Sequence, residues 1–524
     1  MFLKRKKNNQ LNNEKELIAS PINNNDTFQI VLKNTGWNIG GGIALLILQL
    51  ITIPYIISKL GDTQYGIWSL ANILLAYFFF LDIGISTACV KYLSEKYNKA
   101  TPAEINTIFW TALFTTVILG IIASCIMFII SPYIIKRFFL IPDELLNLSI
   151  AVLRICSFCL FLTFISGIIK SIPFSLKRFD TINKIQFTTS SILTIGTVLA
   201  LYYGYGLIQI AELSIFTQLL SIILFSIAAY KIEPRLVYVV PQKNITIKLI
   251  KYGSFVFTDN IISPILMHLE KLFIGMFISA SMITYYIIPH NLLMRLWLIS
   301  TGFSTALFPT LSEISYNKNN ILISYTVNRA VKLVSAIIGL ILLSLFVFAD
   351  LFLKLWLNES FALSSANVLR VLCIGFWINL ISHIIFTFFR AANKPHLPAI
   401  FHIIEVIIYI PLAYWLISEY NIIGAAIAWF IRVLIDFILL IISYQIIVKP
   451  KNFLLLNSIF NVATLIIFLS IIFSMTLNHF NILGNLSYLL HIIGAFISIL
   501  IIWYRIFTDE ERHLFLKLIA IKKR

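Results

Sequence analysis

The chain is dominated by apolar runs of about 20 residues, each long enough as a helix to cross a hydrocarbon core of about 30 Å. Hydrophobic residues make up 59% of the chain and charged residues 12%, whereas soluble domains are about 45–50% apolar and about 25% charged. The sequence therefore predicts an all-α polytopic membrane protein of about fourteen transmembrane helices. We place these helices at 35–57, 67–90, 107–131, 148–169, 184–203, 207–230, 252–279, 283–308, 327–349, 366–389, 397–418, 422–447, 455–477 and 484–506.

The basic residues are distributed unevenly between the two sides of the predicted bundle. If both termini are cytoplasmic, 31 of the 40 Lys and Arg fall in cytoplasmic segments. Those predicted on the other side are Lys59, Lys136, Arg137 and Lys354. This is the positive-inside pattern, which fixes the orientation. It also accounts for the net charge of +17, so no nucleic-acid partner is expected.

The connections between the spans are short, and the longest are 231–251 and 309–326. Function must therefore reside among the helices. Residues 231–251 carry two prolines and five cations, which indicates a cytoplasmic linker between an N-lobe at 34–230 and a C-lobe at 252–447. Two further helices follow at 455–506. Basic cytoplasmic tails are expected at 1–33 and 507–524, and the first lacks the apolar segment of a cleavable signal peptide.

A faint internal repeat supports the division into two lobes. Residues 60–75 can be laid on residues 278–293 at an offset of 218. An even number of spans separates the two copies, so both run in the same direction. Parallel halves of this kind are typical of transporters that bind their substrate between the halves.

Cations inside the membrane are the first candidates for a binding site, because each one needs a partner or a hydrated cavity. Arg295 lies near the middle of helix 8 with no acidic residue within a turn. Its planar guanidinium suits phosphate, although an interhelical pair with Asp82 or Asp259 remains open. Arg154 and Lys271 are candidates to extend a cationic lining, but Glu270 stands next to Lys271 and offers it a partner.

The intramembrane acids and histidines suggest coupling or interhelical ion pairs. Asp259 and Glu270 fall on nearly the same face of helix 7. His402 and Glu405 are spaced i, i+3, and Arg432 and Asp436 are spaced i, i+4, which permits a pair within one helix. Asp82 precedes small residues that allow close helix contact. The candidates for these roles are Asp82, Asp259, Glu270, His402, Glu405, Arg432 and Asp436.

The five cysteines all fall within apolar spans and are expected to be packing residues. Cys156 and Cys159 form a C-x-x-C, but the motif follows no strand, so no redox or metal site is predicted. We expect no cofactor beyond a coupling ion, either H⁺ or Na⁺.

Several segments resemble bacterial Wzx-type polysaccharide flippases of the MATE-like (MOP) superfamily. They are residues 60–70, 80–91, 289–297, 304–312, 402–405 and 424–436. The resemblance implies two six-helix lobes and alternating access. It implies transport of an undecaprenyl-diphosphate-linked oligosaccharide across the bacterial inner membrane for O-antigen or another surface polysaccharide, with membrane lipids and other polysaccharide-assembly membrane proteins as partners. By analogy, Arg295 contacts the diphosphate, followed by Arg154 and Lys271.

Two alternatives stay open at this stage. A MATE-type antiporter for small molecules or cations would need an acidic lining, which the mixed charges neither establish nor exclude. A membrane polymerase or glycosyltransferase would need a large extramembrane loop or a metal-binding acidic motif, and neither is present. We therefore predict a transporter and not an enzyme.

The predicted orientation can be tested with reporter fusions. A reporter that is active only in the cytoplasm should be active when fused at Asn244. A reporter that is active only outside the cytoplasm should be active when fused at Asn358, because the cation distribution places the two positions on opposite sides. The reverse pattern would overturn the orientation and every depth assigned from it.

Overall fold

The computed structural model describes residues 24–96, 101–317, 319–449 and 486–506, and the regular secondary structure in that part of the chain is all helical. The predicted all-α fold is confirmed. The predicted span at 455–477 lies outside the described residues. The helices are α1 (Asn24–Phe78), α2 (Ile85–Lys96), α3 (Pro102–Phe138), α4 (Asp143–Ser175), α5 (Phe179–Tyr202), α6 (Leu207–Ile232), α7 (Lys243–Phe277), α8 (Ala280–Met294), α9 (Trp297–Tyr316), α10 (Asn320–Val347), α11 (Ala349–Trp356), α12 (Glu359–Ala391), α13 (His396–Val448) and α14 (Leu486–Ile501).

Two of these helices turn back on themselves, so each contains two arms. Gly61 in α1 has φ 74° and Asn421 in α13 has φ 54°, and neither conformation continues a helix. The turn in α13 is tight, because a Cβ on Gly424 would collide with the carbonyl oxygen of Leu416. The described residues hold nine helical segments long and apolar enough to cross a membrane. Counting the arms and α7 separately, residues 24–449 make twelve passes, the number predicted for them.

Two of the passes are interrupted at corresponding places in the repeat. The second arm of α1 ends at Phe78, and a short 3₁₀ turn (Phe79–Asp82) leads to α2. At the offset of 218 the next interruption is expected near residue 296, and α8 indeed gives way to α9 between Met294 and Trp297. Such discontinuous helices place polar backbone within the membrane, where it needs protein around it.

The two copies of the repeat touch one another, in an arrangement that we call the reciprocal contact. At the offset of 218, Asp62 corresponds to Ala280 and Gly66 to Thr284. Gly66 packs directly on the carbonyl oxygen of Ala280, and Thr284 Oγ1 donates a hydrogen bond of 2.6 Å to the carbonyl oxygen of Asp62. In both contacts the first position of one copy (Asp62 or Ala280) meets the second position of the other (Thr284 or Gly66), as equivalent residues do across a two-fold interface. Tyr285 adds a hydrogen bond of 2.5 Å from its hydroxyl to Asp62 Oδ2.

The reciprocal contact lies at one end of the bundle, and the short basic connections lie at the other, which we call the basic end. There the side chain of Asn106 in α3 donates to the carbonyl oxygen of Arg235 at 2.9 Å. The ammonium of Lys91 in α2 lies 4.0 Å from the ring centroid of Tyr252 in α7. These contacts bring the ends of α2, α3 and α7 together.

Helix α7 connects the first half (α1–α6) with the second half (α7–α13). It begins at Lys243, inside the predicted linker, and Leu249 is fully buried in an apolar cluster with residues of α2 to α6. Further along the same helix, Leu266 and Ile274 pack in the large cluster that contains α8 and α12. The first turns of α7 therefore pack with the first half, and its later turns pack in a cluster shared by both halves.

The reciprocal contact leaves no room for a side chain at position 66, which gives a test of the fold. Gly66→Ala should destabilise the protein by about 1–3 kcal/mol, because the new Cβ meets a backbone carbonyl that cannot easily move. Gly302→Ala is the matched control, since a Cβ there meets nothing within 4 Å and alanine favours a helix interior by about 0.5–1 kcal/mol. Thermal unfolding of the purified variants measures both, and equal melting temperatures would contradict the contact.

Candidate functional site

A cavity of about 580 Å³ lies inside the second half, between α7, α8, α12 and α13. Its wall combines aromatic rings, including Trp297, Phe376 and Trp429, with side chains that donate hydrogen bonds. Among the described side chains, Asp436 is the carboxylate in this wall. The basic and amide side chains that line the cavity are Lys271, Arg295, Arg432, His268, His290, His383, His402, Asn291 and Asn379.

Lys271 is neutralised by its neighbour on the chain. Its ammonium lies 3.3 Å from Glu270 Oε1 and donates to the carbonyl oxygen of Met267 at 2.6 Å. Glu270 is fully buried and points towards α13, where the hydroxyl of Tyr409 donates to Oε2 at 2.7 Å. Glu270 is thus a buried counter-ion behind the wall. The acidic stripe expected on helix 7 is not found at Glu270, and the side chain of Asp259 lies outside the described residues.

A second cluster of charges joins the two arms of α13. Arg432 in the second arm pairs with Glu405 in the first, with 3.0 Å between Nη1 and Oε2. The i, i+4 spacing allowed Arg432 to pair with Asp436 one turn along, whereas its ion pair is made with Glu405 across the arms. The reason is the tight turn at Asn421, which sets the arms antiparallel and brings Glu405 alongside.

Asp436 and His402 complete this cluster, and one ligand atom from each of His402, Glu405 and Asp436 lies within 4.8 Å of the others. Glu405 is 1% exposed, and its Oε1, like Asp436 Oδ1, has no hydrogen-bond partner among the described groups. Two carboxylates this close repel one another when both are ionised. The group can therefore take up a proton or a small cation. Sequence spacing found the His402–Glu405 pair but not the addition of Asp436 from the other arm.

Arg295 is held differently from the other two cations. It sits at the interruption between α8 and α9, and its guanidinium donates to the side-chain oxygen of Gln49 in α1. A neutral amide leaves the positive charge of the guanidinium in place. Among the described side chains, which exclude Asp259, no carboxylate lies within ion-pair distance of Arg295. Gln49 was missed in the sequence analysis, although a polar amide in the middle of an apolar span was a usable signal.

The other predicted residues lie away from the cavity. Asp82 is buried, and its carboxylate accepts hydrogen bonds from the backbone N–H and the hydroxyl of Ser86, at 3.3 and 3.1 Å. It therefore holds the start of α2 and does not pair with Arg295. Arg154 is exposed on α4, with its guanidinium carbon 4.9 Å from the ring centroid of Phe128. The position of Arg154 in the sequence predicts its depth in the membrane but not the direction of its side chain. The side chain points away from the cavity of the second half.

Among the described side chains, the cavity therefore offers one uncompensated guanidinium, two compensated cations and many neutral donors. Anions and hydroxyl-rich groups match such a wall, because guanidinium, imidazole and amide N–H groups all donate hydrogen bonds. Its volume falls within the range of about 300–1,000 Å³ that is usual for small-molecule sites. An organic cation would find fewer favourable partners there.

Comparison with known proteins gives concordant matches. A family described as "Polysaccharide biosynthesis protein" matches residues 60–366. A curated protein of Shigella flexneri named "Putative O-antigen transporter" is 23% identical over 414 residues, covering 78% of this chain and 96% of that protein.

Solved structures share the fold over most of their length. The lipid II flippase MurJ in an inward closed conformation matches with a TM-score of 0.66 and 19% identity, over 91% of this chain and 99% of that one. An inward-facing multidrug resistance MATE family transporter of the MOP superfamily matches with a TM-score of 0.66 and 13% identity, over 80% and 96%.

The ion pair across the arms of α13 can be tested by removing one partner or both. Arg432→Met alone should destabilise the protein by about 3–5 kcal/mol, because Glu405 would stay as an unpaired buried charge. The double variant Arg432→Met/Glu405→Met should recover most of that loss. Thermal unfolding of the two purified variants decides it, and a double variant no more stable than the single one would argue against the pair.

Proposed function

Because the chain belongs to the polysaccharide biosynthesis protein family, we propose that it is a transporter that flips a lipid-linked oligosaccharide, and that it is not an enzyme. The observation that carries the proposal is the cavity of the second half, with Arg295 as an uncompensated cation in its wall. The names of the relative from Shigella flexneri and of the lipid II flippase support the same class of substrate.

The chemistry of such a substrate matches the cavity in three parts. Its diphosphate needs charged donors, for which Arg295 is the first choice and Lys271 the second. Its sugars need hydrogen-bond donors and aromatic faces, which Asn379 and Trp297 offer among others. Its polyprenyl tail can remain in lipid, since the cavity is far too small for it. Undecaprenyl diphosphate carrying an oligosaccharide repeat unit is therefore the substrate that we propose.

We assign the orientation of the protein in the membrane from the basic end. We take this end as cytoplasmic, because connections on that side of a membrane are enriched in Lys and Arg. Both termini are then cytoplasmic, in the bacterial inner membrane. The reciprocal contact closes the extracytoplasmic end, so substrate would enter from the cytoplasmic leaflet. Lobes at 34–230 and 252–447 would move against one another to release it on the other side, for O-antigen or another surface polysaccharide.

Energy coupling would use the cluster of His402, Glu405 and Asp436. Its ligand atoms lie close together beside Arg432, which itself lines the cavity. Uptake of a proton or a small cation would change the charge balance around Arg432 and so its availability to an anionic substrate. Glu270 stays a counter-ion of Lys271, Asp82 a cap of α2, and a role for Asp259 in coupling remains a proposal from its position on helix 7.

A MATE-type cation antiporter is the main alternative, and the wall of the cavity argues against it. Lys271, Arg295 and Arg432 line the space with Asp436 as the one carboxylate among the described side chains, whereas the carboxylates of Glu270 and Glu405 lie behind the wall. An organic cation entering the cavity would therefore meet three cationic side chains against one described carboxylate.

The role of Arg295 can be tested in the native host. Arg295→Ala should lower transport by about 10- to 100-fold, since a hydrogen bond to a charged group contributes about 1.5–3 kcal/mol, and Arg295→Lys should keep part of it. Mass spectrometry of polyprenyl-diphosphate glycans should then show accumulation of a complete lipid-linked repeat unit, with loss of surface polysaccharide.

Arg154→Ala is the matched control, because it removes the same charge outside the cavity, and its transport should stay normal. Full activity of the alanine variant at position 295 would remove Arg295 from the site. Unchanged lipid pools after depletion of the protein itself would refute the flippase, and accumulation of an incomplete repeat unit would point to an enzyme.

A further inference from the structure

Arg390 is an exposed cation with no role in the transport cycle proposed above. It lies in the last turn of α12, at the basic end of the bundle. Among the described side chains it has no carboxylate within ion-pair distance. Its guanidinium carbon instead lies 5.8 Å from the ring centroid of Phe308 in α9 and 6.0 Å from that of Phe386 in α12.

These ring contacts leave the best hydrogen-bonding directions of Arg390 available. Its contacts are with aromatic rings, which accept no conventional hydrogen bond, so its N–H groups stay available to a ligand. Phe308 remains 39% exposed, so the surroundings are open to a ligand. Arg390 thus presents a positioned fork of donors, which suits the paired oxygens of a phosphate or diphosphate.

The ring below Arg390 belongs to the wall of the cavity. Phe386 is nearly parallel to His383 on one side and to His402 on the other, with ring centroids 6.1 and 6.3 Å apart and interplanar angles of 13° and 12°. All three rings line the cavity. A ligand bound at Arg390 would therefore lie next to the wall of the cavity, beside the ring that contacts its imidazoles.

Depth gives Arg390 a task that Arg295 cannot perform. Arg295 follows 15 residues of α8, which places it about 22 Å along the pass from its extracytoplasmic end, deep in the bilayer. A diphosphate in the cytoplasmic leaflet starts at the headgroup level, where α12 ends. It must meet the protein there before it can reach Arg295.

We propose that Arg390, held against Phe308 and Phe386, is the loading site at which the diphosphate of the lipid-linked substrate first binds before it enters the cavity. The inference rests on the proposed function and adds to it a separate entry step. Arg390 governs capture of the substrate, and Arg295 holds it during translocation. The shared chemistry is a lipid phosphate, so bulk anionic phospholipid is the competitor to exclude.

The test uses the full-length protein in nanodiscs of phosphatidylcholine, titrated with undecaprenyl diphosphate at several salt concentrations. Arg390→Ala should slow association by about tenfold and flatten its salt dependence, because an exposed cation acts through screened attraction. In transport assays the same variant should raise the half-saturating substrate concentration and keep the maximal rate, whereas Arg295→Ala should lower the maximal rate.

Two further variants separate charge from ring contact, and a third is the control. Arg390→Lys keeps the charge without the planar fork, and Phe308→Leu keeps the apolar volume without the aromatic face, so both should fall between wild type and Arg390→Ala. Lys248→Ala removes an exposed cation at the same end, on the first turns of α7, and should bind as wild type does. Gel filtration confirms that each variant is folded.

The outcomes are distinct. Wild-type binding by Arg390→Ala would overturn the loading site and leave the proposed function standing. A parallel titration with phosphatidylglycerol tests the competitor. If Arg390→Ala loses binding of phosphatidylglycerol but binds undecaprenyl diphosphate as wild type does, the residue is a site for bulk anionic lipid and not the loading site. Failure of the wild-type protein to bind undecaprenyl diphosphate would refute the proposed function, and the loading site with it.

Discussion

A charge buried in hydrocarbon must be balanced by the protein itself, and the second half of this chain is organised around that requirement. Glu270 balances Lys271 and is itself fixed by Tyr409. Glu405 balances Arg432 across a tight helical turn. Among the described side chains, Arg295 is bound only by the amide of Gln49. The three cations of the cavity therefore differ in how much charge they can offer a ligand, and this difference, more than their number, defines the site.

The interrupted helices explain how Arg295 comes to be placed there. In an unbroken helix the interior backbone N–H groups all donate to carbonyl oxygens of the same helix, and the side chains follow one continuous spiral. The interruption between α8 and α9 falls at Arg295, and the matching one in the first half falls at the 3₁₀ turn that precedes α2. Irregular backbone at this depth is tolerated only where protein or a hydrated cavity surrounds it. In the second half, the irregular segment thus falls at Arg295, in the wall of the candidate cavity.

Much of the architecture could be predicted from the sequence, because membrane crossing leaves a strong and local signal. The helical spans up to residue 449 and the family resemblance are confirmed, and the interruptions at matching positions support the repeat offset of 218. The partners of the charges could not be predicted in the same way. Spacing along one helix suggested Arg432 with Asp436, but which residue faces Arg432 depends on the sharpness of the turn at Asn421. Likewise, the depth of Arg154 could be estimated from its position in helix 4, whereas its outward direction depends on how α3 and α4 pack.

The reciprocal contact has a consequence for how the two halves can separate. The approach of Gly66 to Ala280 and the hydrogen bond from Thr284 to Asp62 join the same two repeat positions in opposite order. A motion that keeps the two copies related by their two-fold axis therefore breaks both contacts together. Separation at this end has the character of a cooperative transition with a threshold, so partly opened states should be sparsely populated. An all-or-none seal would keep the membrane from leaking ions while a large polar headgroup is in transit.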